Sequence, residues 1–175
     1  DRIIMKEKLI NANNSIFYEN NTNSRKGVML TTDETGKLTY IKTNGMINQT
    51  DFGNFSPSHH FLYEDFDRNG HKDFIYLDKN ELNVFDRFKN PIMSFEFKNE
   101  IGSSPVLIPL SKTENIIGIV SDASKKIYLF DKEGNLLSTP DMVGKTQILV
   151  GSLLNDGQLN IITGSGNTLY NYYFQ

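Results

Sequence analysis

Short runs in which apolar and polar residues alternate recur along the chain at a nearly constant interval. Four of them share one text: Lys37-Leu38-Thr39-Tyr40-Ile41, Glu81-Leu82-Asn83-Val84-Phe85, Lys126-Ile127-Tyr128-Leu129-Phe130 and Thr168-Leu169-Tyr170-Asn171-Tyr172. Leu38, Leu82, Ile127 and Leu169 hold the same place in each, at spacings of 44, 45 and 42 residues. Alternation with period two is the signature of a half-buried strand. Each run follows a second apolar run, at residues 27–30, 74–77, 116–120 and 161–164, across turn-forming residues such as Asp33-Glu34-Thr35-Gly36 and Ser165-Gly166-Asn167. Each repeat therefore opens with a predicted hairpin.

Two further strands complete the unit. Residues 4–10 followed by 15–18 resemble residues 92–97 followed by 105–108, and Leu136-Leu137 followed by residues 147–150 continues the series. Asn44-Gly45, Lys89-Asn90 and Glu133-Gly134 mark the turns into the third strand. Four strands in about 44 residues make one blade of a β-propeller. A β-sandwich also has closely spaced strands, but nothing in it calls for a four-strand pattern repeated in register. The predicted fold is all-β, a propeller of about four four-stranded blades in a single domain, residues 1–175. Its blades are expected at 27–73, 74–115 and 116–160, with 1–26 and 161–175 sharing the fourth. It is either a closed four-bladed ring or a fragment of a larger propeller.

Composition supports strands over helices. The 175 residues include two alanines, twenty asparagines, twelve Phe and eight Tyr. Alanine is the best helix former, asparagine favours turns, and aromatics favour strands. A formal charge of −3 without a Lys/Arg run argues against nucleic acid as a partner. No apolar run reaches the roughly 18 residues of a membrane span. Without cysteine there is neither a disulfide nor a thiolate site.

The strongest local motif is Asp65-Phe66-Asp67-Arg68-Asn69-Gly70-His71-Lys72-Asp73. Oxygens at its positions 1, 3 and 5 converge, Gly70 permits the sharp turn, the main-chain oxygen of His71 points inward and Asp73 closes the set. Hard oxygen donors select Ca²⁺. The predicted ligands are Asp65, Asp67, Asn69, His71 through its carbonyl, and Asp73. An EF-hand would carry Glu at position 12, where this chain has Tyr76, and a strand follows instead of a helix. The expected role is structural, with an affinity on the order of 10⁻⁴–10⁻³ M.

This loop, running into an apolar strand within a propeller-sized repeat, resembles the FG-GAP/VCBS repeats of integrin-type propellers. Those repeats carry D-x-D-x-D-G-x-x-D loops that hold calcium. Here position 5 is Asn69, and the matching stretches of the other repeats lack the motif, so the resemblance implies one calcium. It also implies an extracytoplasmic or cell-envelope setting. Strand-turn texts such as residues 127–136 are similar to PQQ-like propellers, whose quinoprotein members carry tryptophan docking motifs. This chain has no tryptophan, so no quinone cofactor is expected.

The remaining motifs are weaker. His59-His60 precedes a strand, where neighbours point to opposite faces and chelate one metal poorly. A turn or hydrogen-bonded strand histidine is the simpler reading. Gly164-Ser165-Gly166 lacks the Lys-Ser/Thr ending of a phosphate loop and reads as a hairpin turn. No nucleophile elbow, metalloprotease helix or triad pattern is present, so no catalytic residue is assigned. The expected function is a noncatalytic domain that binds a protein or glycan. The alternative is a glycan-acting propeller using His59 or His60 with carboxylates at a channel mouth. Open blade edges would also allow a homo-oligomer.

Overall fold

The computed structural model describes residues 14–21, 26–153 and 158–174. These residues form antiparallel strands and turns, with no helix among them. The chain divides into two units, Asp1–Leu62 and Tyr63–Gln175.

In the first unit, β1 (Phe17–Asn21), β2 (Lys26–Thr32), β3 (Leu38–Lys42) and β4 (Ile47–Thr50) form a four-stranded meander in chain order. Leu30 and Leu38 are fully buried in it. The β2–β3 turn is held by Asp33. Its Oδ1 accepts hydrogen bonds from the Thr35 amide at 2.9 Å, the Lys37 amide at 3.0 Å and the Thr35 hydroxyl at 2.7 Å. Burial pushes this carboxyl up, but the bonds from Thr35 and Lys37 outweigh it and hold Asp33 below the ordinary range.

The unit boundary falls within β5 (His60–Glu64), the first strand of a sheet ordered β5-β6-β7-β8, with β6 (Asp73–Asp78), β7 (Glu81–Phe85) and β8 (Pro91–Glu96). A third sheet joins β9 (Val106–Pro109), β10 (Asn115–Ser121) and β11 (Lys126–Phe130). A fourth joins β12 (Leu149–Gly151), β13 (Leu159–Ser165) and β14 (Thr168–Phe174). The middle strands β6 and β10 are buried on both faces and read as nearly continuous apolar text, Phe74-Ile75-Tyr76-Leu77 and Ile116-Ile117-Gly118-Ile119-Val120. The edge strand β5 alternates instead, half-buried and buried in turn, because one face packs and the other is less covered.

Consecutive sheets of the second unit pack through these faces. Phe95 of β8 lies 4.8 Å from Phe130 of β11, and Phe97 lies 4.9 Å edge-on to Tyr128. On the other face of β11, Ile127 and Leu129 join Ile108, Ile116, Val120, Ile148 and Ile161 in one core cluster. Each such aliphatic side chain contributes roughly 1.5–3 kcal/mol by leaving water.

The four predicted hairpins are β2–β3, β6–β7, β10–β11 and β13–β14. The expected repeat frame opened on the hairpin, whereas each sheet opens one strand earlier. Residues 15–18, assigned to a blade shared with the C-terminal residues, contribute instead to β1, which pairs with β2. A short link allows that antiparallel pairing at once. Residues 4–10, expected as a strand, lie outside the described residues. The expected strand at Leu136-Leu137 is reduced to a bridge between Leu136 and Phe130 and a bond from the Leu137 amide to the Leu129 carbonyl at 2.7 Å. Pro140 has no amide to donate, and pairing returns only where Val143 bridges Lys126.

Candidate metal centre

The β5–β6 connection is built by residues whose local preferences force a tight loop. Gly70 sits at φ +86°, the left-handed region that glycine enters without strain, and Arg68 at φ +60° adds a second reversal. Between them the Asn69 amide donates to Asp67 Oδ1 at 3.1 Å. The Gly70 amide donates to Asp65 Oδ2 at 3.0 Å, and the Phe66 amide to Asp73 Oδ2 at 2.9 Å. Phe66 is fully buried and anchors the loop to the core. Asn115, at the start of β10, donates from Nδ2 to the Asp65 carbonyl at 2.7 Å. Lys72 closes the base, reaching the Tyr63 carbonyl at 3.3 Å and Glu64 Oε2 at 3.4 Å.

This frame brings carboxylate oxygens of Asp65, Asp67 and Asp73 within 4.8 Å of one another. Asp73 is wholly buried. Two oxygens facing no donor stand out: Asp65 Oδ1 and Asp73 Oδ1 are buried and have no hydrogen-bond partner. An unsatisfied buried acceptor costs about 1–3 kcal/mol, more when charged. The Asp73 carboxyl is pushed up to about 6, first by burial and then by the charges of Asp67 and Asp65, against the lowering effect of backbone amides.

Asn69 and His71 are placed differently from the three aspartates. Asn69 Oδ1 accepts the His71 amide at 2.8 Å, and its Nδ2 donates to Asp67 Oδ2 at 2.8 Å. The amide oxygen keeps a second lone pair. The His71 ring is exposed, with Nδ1 3.1 Å from an Arg87 guanidinium nitrogen, so its imidazole belongs to the loop's outer side. The donor set gathered here is all oxygen, which suits a hard divalent cation and not a soft one. Asn115 escaped the sequence reading because its contact spans fifty residues; only the fold brings it near.

His59 is explained by packing and hydrogen bonding. His59 is buried, and its Nδ1 lies 2.7 Å from the Ser56 carbonyl. A carbonyl only accepts, so that nitrogen carries the proton. Nε2 then accepts, at 2.9 Å from Thr32 Oγ1 and 3.0 Å from Asn14 Nδ2. Asn14 also accepts the Phe61 amide at 3.0 Å. His60 is half-buried at the start of β5. Gly164-Ser165-Gly166 forms the β13–β14 turn, with Ser165 paired to Thr168.

No family model matches the chain, and no curated protein matches it. Solved structures do. A crystal structure of BBS1N in complex with ARL6DN is 13% identical with a TM-score of 0.54, over 85% of this chain and 47% of that one. A streptogramin B lyase structure is 11% identical with a TM-score of 0.50, over 93% of this chain and 55% of that one. The chain thus spans about half the length of each. Both neighbours are β-propellers, and at these identities the likeness shows the fold alone. The chain is of the β-propeller-like all-β class. No helix among the described residues is long and apolar enough to cross a membrane.

Proposed function

We propose that this chain is a noncatalytic binding module of the propeller class, in which one structural Ca²⁺ holds the loop of residues 65–73. The observation that carries the metal reading is the pair of buried carboxylate oxygens on Asp65 and Asp73 without a donor. Such atoms are costly unless a cation or water meets them. Asp65, Asp67 and Asp73 would hold the ion, with Asn69 and the His71 carbonyl completing the set. The bound ion supplies positive charge among three carboxylates that otherwise repel. Five of the loop's hydrogen bonds already point carboxylate or amide oxygens at main-chain amides or neighbouring side chains, so the protein organises the donors in advance.

The binding role is supported by the absence of a catalytic signature in the sequence and by the BBS1N neighbour, which is itself seen in a complex. Fold alone does not choose between binding and catalysis, since the other neighbour is a lyase. The glycan-acting alternative needed His59 or His60 beside two carboxylates. His59 instead directs its ring to Ser56, Thr32 and Asn14, none of them acidic. A protein or glycan partner and an extracytoplasmic location, where millimolar calcium fills a weak site, complete the proposal.

Melting the protein in Ca²⁺ and in EDTA tests the metal. A ligand at 100 times its Kd adds about 2.7 kcal/mol, which for a chain of this size raises Tm by about 5–10 °C. With Kd on the order of 10⁻⁴–10⁻³ M that ratio is reached at about 10–100 mM Ca²⁺, and an unchanged Tm there overturns the proposal.

A further inference from the structure

The β5–β6 loop and the third sheet enclose a cavity of about 280 Å³, lined by Glu64, Asp65, Arg68, Leu107, Pro109 and Asn115. Strand register builds one wall of it. Asn115 of β10 lies across from Pro109 of β9, and Leu107 lies across from Ile117, two positions along. Opposed residues share a face and every second residue returns to it, so Asn115, Pro109 and Leu107 stand together. The volume falls just under the roughly 300–1,000 Å³ of pockets for drug-sized ligands, which suits a smaller molecule.

Asn115 is 4% exposed. Its Nδ2 is committed to the Asp65 carbonyl at 2.7 Å, but its Oδ1 is buried and has no hydrogen-bond partner. A buried acceptor left in that state is costly, and the cavity that Asn115 lines has room for a donor. The other polar groups are already placed or charged. Glu64 Oε2 lies 3.4 Å from Lys72 Nζ, and Asp65 belongs to the carboxylate cluster of the loop. Arg68 is exposed, and its guanidinium forms no ion pair among the described residues.

We propose that this cavity binds a neutral polyhydroxylated ligand of monosaccharide size; the inference rests on the binding-module reading above and gives that module a ligand class and a place. Charge and hydrogen bonding select the class. An anion would be drawn to Arg68 but would meet Asn115 Oδ1 and the Glu64 carboxylate, which only accept hydrogen bonds. A guanidinium or ammonium would satisfy those acceptors but meet the charge of Arg68, while Glu64 already pairs with Lys72. A hydroxyl both donates and accepts. Neighbouring hydroxyls on one ring therefore donate to Asn115 Oδ1 and accept from Arg68, and Leu107 and Pro109 take the apolar C–H face of the ring.

Amide NMR shifts of the full chain in saturating Ca²⁺ test this, in titrations with methyl mannoside, methyl galactoside and N-acetylglucosamine and with guanidinium and sulfate as charged controls. At least one sugar is expected to give saturable shifts at residues 64–68 and 107–115 that exceed those of either ion. Asn115→Leu removes Oδ1, and Arg68→Gly removes the guanidinium while keeping the turn, since glycine accepts φ +60°. Each weakens sugar binding by about tenfold or more. If Asn115→Leu fails to fold by circular dichroism, the exposed Arg68→Gly carries the test. Calcium uptake is measured on the same samples. Uptake without sugar shifts at these residues overturns the ligand class and leaves the calcium proposal standing; sugar shifts without uptake uphold the ligand class and overturn the calcium site alone. Preference for guanidinium or sulfate at these residues overturns the inference, and so does sugar binding that the folded variants retain in full.

Discussion

The turn at residues 131–135 and the loop at residues 65–73 both open on an aspartate, yet they dispose of its charge in opposite ways. Asp131 Oδ1 accepts the Glu133 amide at 3.0 Å and the Asn135 amide at 2.7 Å, and Oδ2 accepts Asn135 Nδ2 at 2.8 Å. The turn at residues 86–90 repeats the device. Asp86 Oδ1 accepts the Phe88 and Asn90 amides, both at 2.8 Å, and Oδ2 accepts Asn90 Nδ2 at 2.8 Å. Desolvation pushes Asp86 up, but the Asn90 side chain, the two amides and Arg87 outweigh it, so its carboxyl lies below the ordinary range. In the 65–73 loop, three carboxylates converge, two oxygens find no donor, and Asp73 is pushed the other way. An Asp-x-x-x-Asn turn completes itself with its own amides. A D-x-D-x-N-G-x-x-D loop spreads its acids around a centre that its own donors do not fill.

The comparison is most exposed to Asp73→Asn. With Ca²⁺ present, this variant should forfeit the ion's contribution of about 2.7 kcal/mol at 100 times Kd. In EDTA it should be no less stable than the wild type, since it removes one of three crowded charges and supplies a donor. Urea unfolding in both buffers measures both values. Equal losses in the two buffers would make Asp73 a hydrogen-bonding residue like Asp131. The converse variant, Asp131→Ala, should lose about 1–2 kcal/mol in either buffer, because its turn amides lose a charged acceptor in a buried setting. Asp86→Ala, in a more exposed copy of the same turn, should lose less than Asp131→Ala, again independent of calcium.

A smaller effect distinguishes the loops by pH. In metal-free protein, Asp73 titrates near 6 when folded and near its ordinary 3.8 when unfolded. The folded state then holds the extra proton between those values, so this group's contribution to stability is greatest below about 4 and is lost as pH rises through about 6. Asp86 has the opposite sign. Its folded value is depressed, so its contribution is present above 3.8 and is lost as pH falls through the lower folded value. Tm against pH in wild type and Asp73→Asn, without metal, reads the difference. A wild-type curve that superimposes on the variant's between pH 4 and 6 would show that the Asp73 carboxyl is not raised.

Much of this was legible in the sequence, and the gaps have physical causes. The hairpins showed because period-two alternation and turn residues are local: Leu38, Leu82 and Ile127 are buried where the pattern places them. The starting strand of each sheet did not show, because pairing β1 with β2 or with a distant strand satisfies the same alternation. The three aspartates were found together because their spacing is itself the geometry. Asn115 on the Asp65 carbonyl, and the Asn14–Thr32–His59 network, join residues far apart in sequence and carry no local signal. The 75% exposure of Leu169 was hidden too, since its text matches its three buried counterparts.

The proposed cation sets the 65–73 loop apart from the 131–135 turn. Equilibrium dialysis against millimolar ⁴⁵Ca²⁺ tests it most directly, on the wild type, Asp73→Asn and Asp131→Asn. One Ca²⁺ per chain at saturation is expected in the wild type and in Asp131→Asn, and none in Asp73→Asn. A wild type that takes up no calcium, or an Asp73→Asn that binds as the wild type does, would contradict it.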